Sequence, residues 1–232
     1  MRILITGSAG FVGSNVLWKI NAHGIDDLAF GNIRNMPQDV IFLQRGFETL
    51  TEDELKYFDV LIHCATANII FAQTEPQKTF EINAVKTLDL FRKFKKKIVY
   101  TSTSSIYGDS IEIPTTEHAE IRLSNAYDSS KYIAEEFLKQ RGNYTTLRLS
   151  NVFGVNQRPE NPYCGVVGRL IHQYLKGDKL TVIGGGTQTR DFTYVDDVVD
   201  AIDDRCIADN GGVISNNTAA VSDRVSTVVP VG

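Results

Sequence analysis

Tyr127 and Lys131 stand four residues apart in the run Tyr127-Asp-Ser-Ser-Lys131. On a helix that spacing puts both side chains on one face. A free tyrosine titrates near ~10 and is almost wholly protonated at neutral pH. A neighbouring ammonium, joined by a second positive charge in the site, stabilises the phenolate. Bringing the pKa down by roughly three units corresponds to about 4 kcal/mol. Tyr127 is then usable as a general acid or base near pH 7. Taken alone, the same spacing also describes two surface residues of a helix.

Two further constellations bear on chemistry. Gly7-Ser-Ala-Gly10-Phe11-Val12-Gly13 follows the apolar run Arg2–Thr6 and precedes a segment, Ser14–Ala22, that reads as a helix. Gly7 permits a tight turn, Gly10 lets backbone approach a pyrophosphate, and Gly13 lets helix pack on strand; the helix N-terminus favours an anion. An acid is expected about 20 residues on, to bind a ribose. Asp26 and Asp27 are the candidates, although Gly24-Ile25 leaves almost no strand before them. An acid there disfavours a 2′-phosphate and so favours NAD. Thr101-Ser-Thr103-Ser-Ser-Ile-Tyr107-Gly108 ends another apolar run, where ligands sit in open α/β sheets and a hydroxyl can bond a substrate oxygen. Strand-end hydroxyls also simply cap turns.

These groups need a scaffold, and the chain supplies one. Asp59–His63, Lys97–Ser102 and Thr145–Leu149 read as strands, with Gln38–Leu43 as a further strand-like run. Pro76–Phe94 and Tyr127–Lys139 read as helices, and Thr51 and Glu54 form a capping pattern. Strands that are apolar throughout and alternate with helices imply a parallel sheet covered on both faces. Beyond Asn151 the texture changes: a loop with Pro159 and Pro162, a helix at Val166–Lys176, and a strand at Leu180–Ile183 running into Gly184–Gly186. The chain has 232 residues, enough for one large domain or two small ones. With 24 Lys+Arg against 28 Asp+Glu there is no basic excess for nucleic acid. The most apolar stretch, residues 60–72, is too short to span a bilayer, and the chain starts directly on a strand. Cys64, Cys164 and Cys206 show neither metal spacing nor a disulfide framework, which suits a reducing, cytoplasmic setting.

In this order the motifs resemble the extended short-chain dehydrogenase/reductases, specifically the NAD-dependent nucleotide-sugar epimerase/dehydratase group, from Arg2 to about Asp200. Further matches are Asp59–Ala65, Asn83, Arg148-Leu-Ser-Asn151-Val-Phe-Gly154 and Arg190-Asp-Phe-Thr-Tyr-Val-Asp196-Asp197. The resemblance implies a Rossmann-type doubly wound parallel sheet (1–150), and a smaller, shortened C-terminal substrate domain (151–232) from which 188–203 returns to the first. It implies Thr103, Tyr127 and Lys131 as the catalytic set. NAD would lie against Gly7, Gly10, Phe11, Val12, Gly13, Asp26, Asp27, Cys64, Ala65, Asn83, Tyr127 and Lys131. A nucleotide sugar would meet Thr103, Asn151, Val167, Thr181, Ile183 and Arg190. No metal is implied. Members of the group usually pair as homodimers through the helices that here start at Pro76 and Tyr127.

The chain departs from the pattern in places. The related dehydratases carry an Asp-Glu pair directly after the catalytic Thr, and the decarboxylases a Glu at the second position; here Ser104 and Ser105 stand there. That favours redox epimerisation at C4 of a UDP-linked sugar through a transient ketone. The usual acid after the third strand is missing at Gly46-Phe47, Asn125 replaces a common proline, and the late Arg-containing substrate motif is not found. A sugar-nucleotide reductase or dehydratase using the same site, or a non-catalytic NAD-binding module, are the alternatives.

Overall fold

The computed structural model describes residues 1–109, 113–157, 164–182, 185, 189–207 and 212–215. The strands are β1 (Ile3–Thr6), β2 (His23–Asp26), β3 (Phe42–Gln44), β4 (Val60–His63), β5 (Lys97–Thr103), β6 (Tyr144–Leu149), β7 (Val152–Phe153), β8 (Thr193–Tyr194) and β9 (Gly212–Ser215). The helices are α1 (Phe11–Lys19), α2 (Glu52–Leu55), α3 (Ile69–Thr74), α4 (Pro76–Phe80), α5 (Thr87–Lys93), α6 (Ala126–Arg141), α7 (Val166–Lys176) and α8 (Val195–Ile207).

Seven strands form one parallel sheet in the order β3-β2-β1-β4-β5-β6-β9. Successive residues of a strand face opposite sides, and the sheet is buried on both. Ile3, Ile5, Ile62 and Val99 point to the side covered by α1 and α8, where Val16, Val198 and Ile202 meet them. Leu4, Leu61, Ile98 and Tyr100 point to the other side, against Leu90 and Phe91 of α5 and Ala134 and Leu138 of α6. This two-sided burial explains why the strands lack polar alternation. The chain leaves β1 in one direction and reaches β4 in the other, so a crevice opens at the carboxyl ends of these strands. A separate small sheet pairs β7 with β8 and carries residues 151–153 to the same edge.

The doubly wound Rossmann-type sheet is as expected, with local differences. β2 does form, four residues long, and Asp26 ends it; pairing with β1 on one side and β3 on the other supports so short a strand. The region expected as one helix from Pro76 to Phe94 is α4, a π-helical turn at Glu81–Lys86, and α5. In that turn the Thr87 hydroxyl donates to the Ile82 carbonyl, 3.0 Å away. α1 starts at Phe11, three residues earlier than expected. The strand expected from Leu180 is not formed at 180–182, where the backbone is irregular and exposed; without a partner strand, apolar β-formers do not make one. β9, at the β6 edge, has no counterpart in the sequence reading.

Candidate active site

A cleft of about 410 Å³ lies along the carboxyl edge of the sheet. One end is walled by the glycine turn, Asp26, Asp27 and the segment Gly46–Glu48; the other by Thr101–Thr103, Tyr127, Lys131, Asn151 and Val152.

At the first end, Gly7 has φ +67°, and a Cβ there would lie 2.5 Å from the Ala65 nitrogen. A Cβ on Gly13 would come within 2.2 Å of the Gly7 carbonyl oxygen. Both positions therefore exclude a side chain. Gly10 caps α1 without any side-chain bond, and the first turn holds no acid. Its amides and the helix dipole are left for an anion from outside the helix. The buried Asp26 carboxylate is oriented by the amides of Ala9 (3.0 Å) and Leu28 (2.7 Å). Burial raises its pKa, with these two bonds opposing. Asp27 is exposed and bonds the amide of Ala29. Cys64 and Ala65 close the floor; burial pushes the Cys64 thiol up to about 12, so it is inert. These features form a cradle suited to a dinucleotide: an open helix start for the pyrophosphate and a fixed carboxylate for a ribose.

At the other end, α6 carries Tyr127 and Lys131. Asn125 caps it, its Oδ1 accepting from the Asp128 amide at 3.0 Å, which accounts for the missing proline. Lys131 is buried; its Nζ donates to the Thr101 carbonyl at 2.6 Å and sits 4.3 Å from the centre of the Tyr100 ring. Burial lowers its pKa to about 7. Burial also pushes the Tyr127 phenol up to about 12, while a hydrogen bond with Thr103 opposes. The ammonium by itself therefore does not produce the lowering expected from it together with a second positive charge. Lys131 is turned toward Thr101 and the Tyr100 ring, so the lowering needs the second positive charge. Thr103 Oγ1 is 2.8 Å from Ser105 Oγ and accepts from the Ser105 amide at 3.2 Å.

Asn83 does not line the cleft. Its amide group bonds both backbone groups of Ala67 at 2.8 Å and the Ser130 hydroxyl at 3.3 Å, tying the strap after β4 to α6. Two features were not anticipated. Arg148 of β6 forms a buried pair with Glu135 of α6 at 2.7 Å and donates to the Tyr107 hydroxyl at 2.6 Å. Ser105 donates to Asp128 at 2.6 Å. Glu135 stands four residues after Lys131, so helical spacing puts it on the same inner face; its pairing with Arg148 is revealed only by the fold.

The expected substrate residues are less gathered. Asn151 lines the cleft, with φ +37°, and its side-chain nitrogen donates to the Asp191 carbonyl at 3.0 Å across the small sheet. Val167 is half-buried on α7; Thr181 is exposed and bonded to Gln173; Arg190 is exposed and bonded to the Thr189 carbonyl. These three do not line the cleft, and Ile183 lies outside the described residues.

Fold and site together define a Rossmann-type nucleotide-binding protein with a hydroxyl–tyrosine–lysine set facing its cofactor cradle. Residues 3–211 match the NAD dependent epimerase/dehydratase family, and the chain belongs to that family. A putative UDP-glucose 4-epimerase of Methanocaldococcus jannaschii is 33% identical over 218 residues, 86% of this chain and 71% of that protein. UDP-glucuronic acid decarboxylase 6 of Arabidopsis thaliana is 34% identical over 225 residues, 87% of this chain but 65% of that protein. Among solved structures, UDP-N-acetylglucosamine 4-epimerase from Methanobrevibacter ruminantium M1, in complex with UDP-N-acetylmuramic acid, superposes with a TM-score of 0.87 at 28% identity, covering 92% of this chain and 75% of that one. Among the described residues, no helix is long and apolar enough to cross a membrane.

Proposed function

We propose that this chain epimerises a nucleotide sugar, UDP-linked glucose or its N-acetylated counterpart, at C4 with NAD. The observation that carries the reading is the convergence of Thr103, Tyr127 and Lys131 on one cleft with the glycine cradle. NAD, when bound, accepts a hydride from the sugar carbon and returns it. Tyr127 Oη removes the proton of the sugar 4-hydroxyl and later restores it. Thr103 Oγ1 bonds the same oxygen. Lys131 holds the nicotinamide ribose and adds positive charge beside the phenolate. Asp26 binds the adenosine ribose, and the α1 start binds the pyrophosphate. Residues 151–232 are read as the substrate side, with Asn151 and Arg190 toward the diphosphate by charge-assisted hydrogen bonds.

The cleft's carboxylates support epimerisation over elimination or decarboxylation. Asp26, Asp27 and Glu48 all line the cradle end, and Ser105 stands where the resemblance places an acid. Incubation with UDP-glucose and UDP-N-acetylglucosamine, followed through their anomeric protons, tests this. Interconversion with no net change in NAD is the expected result. Carbon dioxide from UDP-glucuronate, or a stable keto sugar, would place the chain with its other relatives instead; bound NAD with no turnover would make it a binding module.

The helices at Pro76 and Ala126 leave Phe80, Val85 and Ile133 exposed, and we infer that this face pairs two copies of the chain. Light scattering at micromolar concentration should give the mass of a dimer. We read the chain as cytoplasmic, since the spacing of Cys64, Cys164 and Cys206 suggests no disulfide framework.

A further inference from the structure

The sheet order β3-β2-β1 sets three subsites side by side along the cleft. On the reading above, the α1 start after β1 takes the pyrophosphate, and Asp26 at the end of β2 takes the adenosine ribose. The base then falls beyond Asp26, past the end of β3, where Gly46, Phe47 and Glu48 wall the cleft. The π-helical turn Glu81–Lys86 brings Ile82 and Lys86 to the same end. There the Lys86 Nζ donates to Glu48 Oε1 at 3.1 Å. A Cβ on Gly46 would lie 2.7 Å from the Glu48 carboxyl carbon, so the carboxylate is folded back over Gly46 in the space a side chain there would take. Lys86 is also 3.7 Å from Glu81. Two carboxylates thus match one ammonium, and this end does not suit a 2′-phosphate. An ammonium has three donors, so Lys86 keeps N–H groups to spare. Glu48 Oε2 accepts no hydrogen bond from the described residues.

We propose that Glu48 and Lys86 read the Watson–Crick edge of the adenine of NAD: the 6-amino group donates to Glu48 Oε2, and N1 accepts from Lys86 Nζ. The inference rests on the dinucleotide cradle described above and deepens it; neither residue is in the set that the resemblance implies for NAD. On this edge adenine offers a donor beside an acceptor. The bonded pair offers an acceptor beside a donor. The fold of the carboxylate over Gly46 and its bond to Lys86 fix that order, with the glutamate coming from the β3 side and the lysine from the helix side. Hypoxanthine presents the opposite pattern, an oxygen acceptor on C6 and an N1–H donor. Against the same pair its oxygen would meet the carboxylate and its N–H the ammonium. Ile82, one turn before Lys86, adds an apolar wall for the face of the ring. A salt bridge that merely ties the π-helical turn to the segment after β3 would treat both bases alike.

The test is calorimetric and needs no sugar. The full chain, freed of bound dinucleotide, is titrated with NAD and with nicotinamide hypoxanthine dinucleotide, and Tm is followed in parallel. The parent should bind NAD about tenfold more tightly, the scale of one charge-assisted bond made partly in water. Glu48→Gln, whose amide can turn either its oxygen or its nitrogen to the base, should weaken NAD and bring the ratio close to one. Lys86→Met keeps the apolar stem, removes the donor and should lower the ratio several-fold. Both side chains are half-buried, so Tm should move little in either variant. A parent that binds both dinucleotides equally overturns the proposal, as does Glu48→Gln with the parent's preference intact. Equal weakening of both dinucleotides in either variant makes the pair a simple tie and also overturns it. A parent that binds neither dinucleotide overturns the cradle itself, and the reading of the base with it.

Discussion

The two ends of the catalytic edge are built differently. Thr103, Lys131 and Asp128 are held by buried bonds to β5 and α6, elements locked into the sheet. Thr181 and Arg190 sit on exposed segments, bonded among the described residues to Gln173 and to the Thr189 carbonyl. Proton and hydride transfer demand fixed geometry, because a small misplacement costs orders of magnitude in rate. Gripping a nucleotide demands reach and charge, which exposed segments can supply. On the proposed function, a rigid chemical end joined to an exposed substrate side would let relatives with 4-epimerase and decarboxylase names share one scaffold.

The contrast can be broken by substitution. Tyr127→Phe should cut epimerisation by about 10³-fold, the scale of a lost general base, while calorimetry shows unchanged NAD affinity. A variant that stayed active would remove the chemical end from the argument. Gly13→Ala places a Cβ against the Gly7 carbonyl; loss of NAD binding with a marked drop in Tm is expected, and normal binding would mean the glycine turn is not the cradle. Lys131→Met separates function from stability. Burial lowers the Lys131 pKa from 10.5 to about 7. Below pH 7 the folded and unfolded lysines are both protonated, and the cost of burying charge is fully present. Between about 7 and 10.5 the unfolded chain binds more protons, so this residue makes stability rise with pH. Thermal melts should show Lys131→Met gaining Tm most at pH 6, with the advantage fading toward pH 10, while turnover is lost throughout. Arg190→Ala should be mildest: about tenfold in KM for the nucleotide sugar, with Tm and NAD affinity unchanged. Equal damage to Tm would erase the contrast between the two ends.

Sequence legibility followed the same division. The glycine turn and the Tyr127–Lys131 pair were readable because each is a local pattern fixed by steric or helical geometry. β2 is barely legible in the sequence, since a four-residue strand is defined by its neighbours in the sheet more than by its own residues. The apolar run from Leu180 reads as a strand by composition, yet at 180–182 the backbone is irregular and exposed. The bonds from Ser105 to Asp128 and from Arg148 to Glu135 join residues 23 and 13 positions apart, and nothing in either local sequence announces the match.

The π-helical turn at Glu81–Lys86 has an evolutionary consequence. It packs one residue more into its span than α geometry would, and Asn83 lies within it. A one-residue deletion here would let the helix return to α winding while α4 and α5 keep their facing, because the wide turn is what absorbs the extra residue. What such a deletion removes is the backbone position from which Asn83 reaches Ala67 and Ser130. A descendant that shortens this stretch by one residue should therefore keep its two helices in place and lose the tie between the strap after β4 and α6.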